Sequence, residues 1–301
     1  MKIDAHQHFW KYNNREYGWM SESQTQLQRD FLPQQLAPEL KRAGIEGTIA
    51  VQARQTTGET EWLLGLSEKN TFIKGVVGWV DLRDDHVEDE LQRLTTNPRL
   101  RGVRHVLHDE PDDQFMLGMD FCRGISRLRQ FNLTYDILVF PRHLPQTIAF
   151  VQRFPEQPFV LDHLAKPVIK SGTLSPWDSD MRELARFDNV FCKVSGMVTE
   201  ASWEGWKYSD FVPYLDVVFE AFGPRRLMMG SDWPVCTVAG DYGSVAAIPA
   251  QYLKGFGKSD TENVLGRTCA EFYGLSEQPS ATGGTHGEHG IRKEEEEDRG
   301  V

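Results

Sequence analysis

The chain has 301 residues, with 33 Lys and Arg against 44 Asp and Glu and a formal net charge of −11. That acidic excess disfavours nucleic acid and anionic membrane as partners, because no basic surplus exists to hold phosphates, and it leaves a small molecule as the expected ligand. The length suits one large α/β domain, and Cys122, Cys192, Cys236 and Cys269 are widely spaced without a Cys-x-x-Cys pair, as in a reduced, cytoplasmic protein.

The chain enters a strand at once, and no apolar run approaches about 18 residues, so neither a signal segment nor a membrane span is expected. Eight short apolar, β-rich runs recur about 25 to 35 residues apart. The first, 3–9, carries His6 and His8. Side chains on a strand alternate faces, so both imidazoles point the same way and can meet one small ion or polar substrate. Ile3 and Phe9-Trp10 around them favour a buried strand end over a pair of surface histidines.

The second run, 47–53, brings Gln52 and Arg54 to its end, and Arg54 reads equally as a rim ion-pair residue. The third spans 73–81. The fourth, 101–107, carries adjacent Arg104 and His105, of which alternation lets only one face inward, and Arg104 is the favoured one. The fifth, 134–140, carries Asp136, suited to touch a ligand or to orient a neighbouring histidine. His143, after Pro141, reads as a solvated loop residue.

The sixth run, 158–163, ends in His163, with Lys166 and Pro167 just beyond. The seventh, 190–195, ends in Ser195, and Trp203 and Trp206 follow as aromatics able to cover a barrel mouth. The eighth, 227–231, leads into Asp232-Trp233-Pro234. Asp before an aromatic and Pro is a common turn starter, yet an acid at the C-terminal edge of a short strand is where parallel α/β folds place chemistry.

Helical spacing fills the gaps at 36–43, 60–67, 87–94 and 119–131. Eight strand–helix alternations predict a single-domain (β/α)8 TIM-type barrel over 1–275, with the strand-end residues gathered at one mouth. Residues 276–301, acidic and with only Ile291 and Val301 as large aliphatics, are expected to form a disordered tail in which His286 and His289 make no preformed site.

Four stretches, Ile3-Asp-Ala-His-Gln-His-Phe-Trp10, Leu161-Asp-His-Leu-Ala-Lys-Pro167, Cys192-Lys-Val-Ser-Gly-Met-Val-Thr-Glu200 and Arg226-Leu-Met-Met-Gly-Ser-Asp-Trp-Pro-Val235, together resemble the amidohydrolase superfamily. The likeness is to its amidohydrolase-2 branch of sugar-lactone and related hydrolases, whose closing helix Asn263-Val-Leu-Gly-Arg-Thr-Cys-Ala-Glu-Phe-Tyr273 also resembles. Val51-Gln-Ala-Arg54, the stretch 135–140 and Val198-Thr-Glu-Ala-Ser-Trp203 are most similar to members that open an aldonolactone of L-fucose breakdown.

The resemblance implies hydrolysis of a small-molecule sugar lactone, with His6, His8, His163 and Asp232 catalytic. Gln52, Arg54, Arg104, His105, Asp136, Lys166 and Trp233 are then expected to bind substrate. One divalent ion, Zn or Mn, is expected on His6, His8 and Asp232, in a branch able to work without it. The superfamily's strand 5 histidine is replaced by Asp136, which argues against a two-metal centre. Two rivals stand beside this expectation: a metal-dependent decarboxylase of the same superfamily, and a non-catalytic barrel that binds its ligand unchanged. The sequence leaves the oligomeric state open.

Overall fold

The computed structural model describes residues 1–275 of the chain; the predicted tail, with His286 and His289, lies outside the described residues. Eight strands follow in order: β1 (Ile3–Gln7), β2 (Gly47–Val51), β3 (Ile73–Gly78), β4 (Leu100–Val106), β5 (Thr134–Leu138), β6 (Phe159–Leu161), β7 (Val190–Val194) and β8 (Leu227–Met229). Each pairs in parallel with the next. A parallel bridge between Gln7 and Trp233 joins the last strand end to the first, as a (β/α)8 barrel requires.

The helices up to residue 252 are α1 (Pro33–Ala43), α2 (Thr57–Lys69), α3 (Val87–Leu94), α4 (Met119–Leu128), α5 (Leu144–Gln152), α6 (Trp177–Leu184), α7 (Met197–Glu200), α8 (Tyr208–Phe222) and α9 (Tyr242–Tyr252), and two short ones, α10 (Lys258–Glu262) and α11 (Thr268–Phe272), follow. Their ends follow local chemistry. Pro33 opens α1 and left-handed Gly44 closes it, while Thr56 and Asp241 accept the Glu59 and Ser244 backbone N–H groups at the starts of α2 and α9. Large side chains such as Phe121, Phe150, Phe159 and Phe211 are buried between strands and helices, each contributing roughly 1.5–3 kcal/mol by leaving water.

A second apolar cluster takes Ile3, Ala5, Ile49, Val51, Val77, Val160 and Met228 from five strands and packs them on Cys269 and Tyr273. The C-terminal segment thereby closes the end of the barrel where the strands begin. The predicted runs differ from the strands mainly at their C-terminal ends, which are shorter by up to three residues at β3. The backbone there leaves the ladder and turns into the loops that carry the polar side chains. The four cysteines are free thiols, and among the described residues no helix is long and apolar enough to cross a membrane.

Candidate active site

The strands end at a cavity of about 400 Å³ whose floor is His8, Arg104, His163 and Asp232. Three ring nitrogens and one carboxylate oxygen converge around it. His6 Nε2 lies 3.1 Å from His8 Nε2 and 3.8 Å from Asp232 Oδ1, and Asp232 Oδ1 is 3.3 Å from His8 Nε2 and 3.8 Å from His163 Nε2. His8 Nδ1 donates to the Val51 carbonyl at 2.8 Å, which turns Nε2 toward the cluster. Burial holds the His6 and His163 imidazoles well below the ordinary histidine range, so both are neutral. Burial alone would raise the Asp232 carboxyl, but its polar surroundings, His163, His8 and Lys166, hold it low.

A fully buried ionic network lies under this floor. Lys193, pointing inward from β7, sits 2.5 Å from Asp136 Oδ2, 3.0 Å from Asp162 Oδ1 and 3.2 Å from His6 Nδ1. Arg104 reaches Asp162 Oδ2 at 3.0 Å and His6 Nε2 at 3.3 Å, and Tyr273 donates to Asp136 at 2.8 Å. Burial pushes the Asp136 carboxyl up to about 6 against the pull of Lys193. Burial also opposes ionised Asp162, but Lys193, His6 and Arg104 together keep it well below the usual range. The network fixes His6 from beneath and spends the charge of Asp136 on Lys193.

After β6 the backbone makes a left-handed turn through His163, Leu164, Ala165 and Lys166, with φ of 53, 53, 57 and 51°. Such a conformation costs L-residues roughly 1–2 kcal/mol each. It directs His163 to the floor and Lys166 to the wall of the cavity. Ser195 Oγ lies 2.8 Å from His163 Nδ1 and fixes the ring. Gly196 is needed beside it, since a Cβ there would stand 2.5 Å from His163 Nδ1 and its φ is +63°.

The walls combine apolar and charged groups. Val106, Leu138, Phe140 and Trp203 face the cavity beside Lys166, Glu200, His108 and Asp109. Every positively charged side chain among these lining residues has an acidic partner: Arg104 has Asp162, and Lys166 Nζ is 2.7 Å from Glu200. His108 pairs with Asp109 at 2.8 Å.

Of the residues singled out in the sequence, His6, His8, His163 and Asp232 meet, and Arg104 and Lys166 line the same cavity. Five others expected to touch substrate do not line it. His105 points out of the barrel, stacks on Phe115, receives the Trp79 indole N–H at 3.2 Å and meets Glu110 at 2.6 Å. Strand alternation decides this once Arg104 turns inward. Asp136 is committed to Lys193 beneath the floor, and Gln52 is buried holding Arg104 NH2 at 3.0 Å. Arg54 lies over Tyr17 between Glu16 and Glu59, and Trp233 is packed edge-on against Phe9 and Phe31.

His143 is buried rather than solvated, with Nε2 2.8 Å from Asp113 and Nδ1 accepting the Phe140 N–H. Trp203 reaches the mouth as expected, whereas Trp206 packs on Phe211. Lys193, Asp162, Glu200 and Asp109 were not singled out by sequence reasoning. A lysine inside the strand Val190–Val194 was the one signal available for the network, since a strand buried on both faces has no cheap place for a cation.

The donor set accommodates one divalent ion. His6, His8 and Asp232 offer two imidazoles and a carboxylate with their ligand atoms 3.1 to 3.8 Å apart. Ligands at about 2.0–2.1 Å from a tetrahedral zinc stand about 3.3 Å from each other. His6, Asp162 and His163 form a second such group, but Asp162 is already neutralised by Arg104 and Lys193. Arg104 also brings a permanent positive charge to the same spot.

The chain is similar to known proteins over most of its length. Over 292 residues the chain is 39% identical to the L-fucono-1,5-lactonase of Burkholderia multivorans, covering 93% of this chain and 98% of that protein. Over 286 residues it is 38% identical to the L-fucono-1,5-lactonase of Burkholderia ambifaria, covering 93% and 97%. A crystal structure of an amidohydrolase from Burkholderia multivorans with bound zinc superposes with a TM-score of 0.89 at 39% identity, over 92% of this chain and 100% of that one. The amidohydrolase family model matches residues 3–275, and the chain belongs to that family.

Proposed function

We propose that this enzyme hydrolyses a neutral sugar lactone, L-fucono-1,5-lactone or a close relative, to the open aldonate. The observation that carries the choice of a neutral substrate is the charge of the cavity: Asp109, Glu200 and Asp232 line it against only Arg104 and Lys166, and both cations are already paired. An anionic ring would find no unpaired side-chain cation among the lining residues to receive it. The same lack of an unpaired side-chain cation disfavours the decarboxylase alternative, whose substrate must carry a carboxylate. Glu200, Asp109 and Lys166 suit the hydroxyls of a sugar ring, and the apolar face of Val106, Leu138 and Phe140 suits a deoxy carbon. Four free thiols accord with a cytoplasmic setting.

In this mechanism ionised Asp232 takes a proton from water as the water oxygen attacks the lactone carbonyl carbon. Arg104 and His163 face the developing oxyanion, each such donor supplying about 3 kcal/mol. Ser195 Oγ lies 2.8 Å from Nδ1, and in this mechanism it donates there, so that His163 presents Nε2–H to the cavity. Collapse breaks the ring C–O bond, and the proton held by Asp232 passes to the departing ring oxygen. A divalent ion on His6, His8 and Asp232 would supply a Lewis acid to the water and carbonyl.

A pH-indicator assay against a panel of aldonolactones tests the assignment. Neutral L-fucono- and L-galactono-lactones should turn over, and a ring of similar size bearing a carboxylate should show kcat/KM at least about tenfold lower, the order of one unfavourable charge contact. Equal turnover of the anionic ring would overturn the neutral-substrate assignment, and no acid release from any lactone would restore the decarboxylase. Because Arg104 stands in the pocket, turnover should survive a chelator; complete loss, restored by zinc or manganese, would make the ion essential.

Gly196→Ala should lower kcat about 30-fold by displacing His163, since misplacement of a reacting group by an ångström costs up to about 10²-fold. Parental kcat in G196A would remove His163 from the reaction.

A further inference from the structure

The left-handed turn at 163–166 contains no glycine, although L-residues normally visit that region singly rather than in runs. Its outer members put their side chains into the cavity, and its inner members, Leu164 and Ala165, are wholly buried. A run of this kind persists only where surrounding structure over-determines it.

Two helices outside the barrel grip it. Trp177, the first residue of α6, donates its indole N–H to the Leu164 carbonyl at 2.8 Å. Tyr214 on α8 packs on that indole, with ring centroids 5.3 Å apart. Its hydroxyl reaches the carbonyls of Thr173 at 3.1 Å and Val168 at 3.3 Å, in the segment that follows the turn. Both rings are buried and neither lines the cavity.

We propose that Trp177 is a positioning residue: its bond to the Leu164 carbonyl holds the left-handed turn and thereby sets where His163 and Lys166 stand in the cavity, with Tyr214 bracing the indole and the loop beyond. The proposal rests on the roles given above to His163 and Lys166. A carbonyl at the centre of the turn is well chosen for this purpose. Buried from water, it needs a donor, and a turn that relaxed toward the right-handed region would swing it away from Trp177.

The test is a double-mutant cycle on the full chain. Trp177→Phe keeps an aromatic ring and removes the donor, and Ala165→Gly supplies a residue that adopts the left-handed region without strain. In the parent background W177F should lower kcat per folded molecule about tenfold, measured well below its Tm. In the A165G background the same change should cost less than about threefold, because the backbone then needs less external hold. Tyr214→Phe, which removes only a hydroxyl, is the milder variant should W177F not fold, and it should raise KM by displacing the Lys166 side of the loop.

The imidazole ¹⁵N resonances of His163, assigned against H163Q, give a readout independent of turnover. They should move in W177F and return toward the parent positions in the double variant. If no lactone is hydrolysed by the parent, the proposed substrate fails while these resonances still report on the turn. Equal losses in both backgrounds, or parental kcat and unshifted His163 resonances in W177F, would overturn the positioning role.

Discussion

Asp232→Asn should lower kcat on a neutral aldonolactone about 10³-fold, within the 10²–10⁴ contributed by a positioned acid–base group. Asn has the shape of Asp and can still accept a hydrogen bond through its amide oxygen, but it cannot carry the proton of the attacking water. Asp232 reaches the floor from a backbone with φ of 59°, where Asn is tolerated as well as Asp, so the substitution adds no backbone strain. KM should change little and circular dichroism should match the parent. Near-parental kcat in D232N would move the base elsewhere in the cluster.

The largest effect on stability is expected from Lys193→Met. Lys193 is fully buried between Asp136 and Asp162, and removing one partner of a buried ionic group is typically destabilising by about 3–5 kcal/mol. For a domain of this size that corresponds to a Tm lower by about 10 °C. The loss should depend on pH. In the folded parent Asp162 is held well below its ordinary range, so its contribution is present at neutral pH and lost as pH falls through the folded value.

In K193M the carboxylates lose their main partner and are tolerated best when protonated. The Tm deficit should therefore be widest near neutral pH and narrow in acid. Adding Asp136→Leu should recover much of it, because a buried pair exchanged for apolar groups of similar volume is often neutral. A uniform deficit at every pH, with no recovery in K193M/D136L, would mean that Lys193 matters for its packing and not for its charge.

The barrel was legible because a strand buried on both faces writes itself as an apolar run, and eight such runs lie where the eight strands are found. His6, His8 and Asp232 were legible for a similar reason: polar residues at the ends of apolar strands in this fold have one common destination. The pairing of Asp136 with Lys193 was not, because the partners lie 57 residues apart and only closure of the barrel shows that each answers the other. His105 looked as suitable as Arg104 until the inward register of β4 was known. The run of left-handed residues at 163–166 left no trace, since glycine, the usual marker, stands opposite at Gly196 and not in the turn itself.

The seam between the first strand and the last has a temporal meaning. Asp232 N–H bonds to His6 O and His8 N–H to Trp233 O, which ties together residues more than 220 positions apart at the very floor of the cavity. Both histidines precede Asp232 by more than 220 residues, so the carboxylate that meets both of them at the floor arrives only when β8 has been made. Under the proposed mechanism turnover is then a readout of completed closure, and a barrel lacking β8 should be silent.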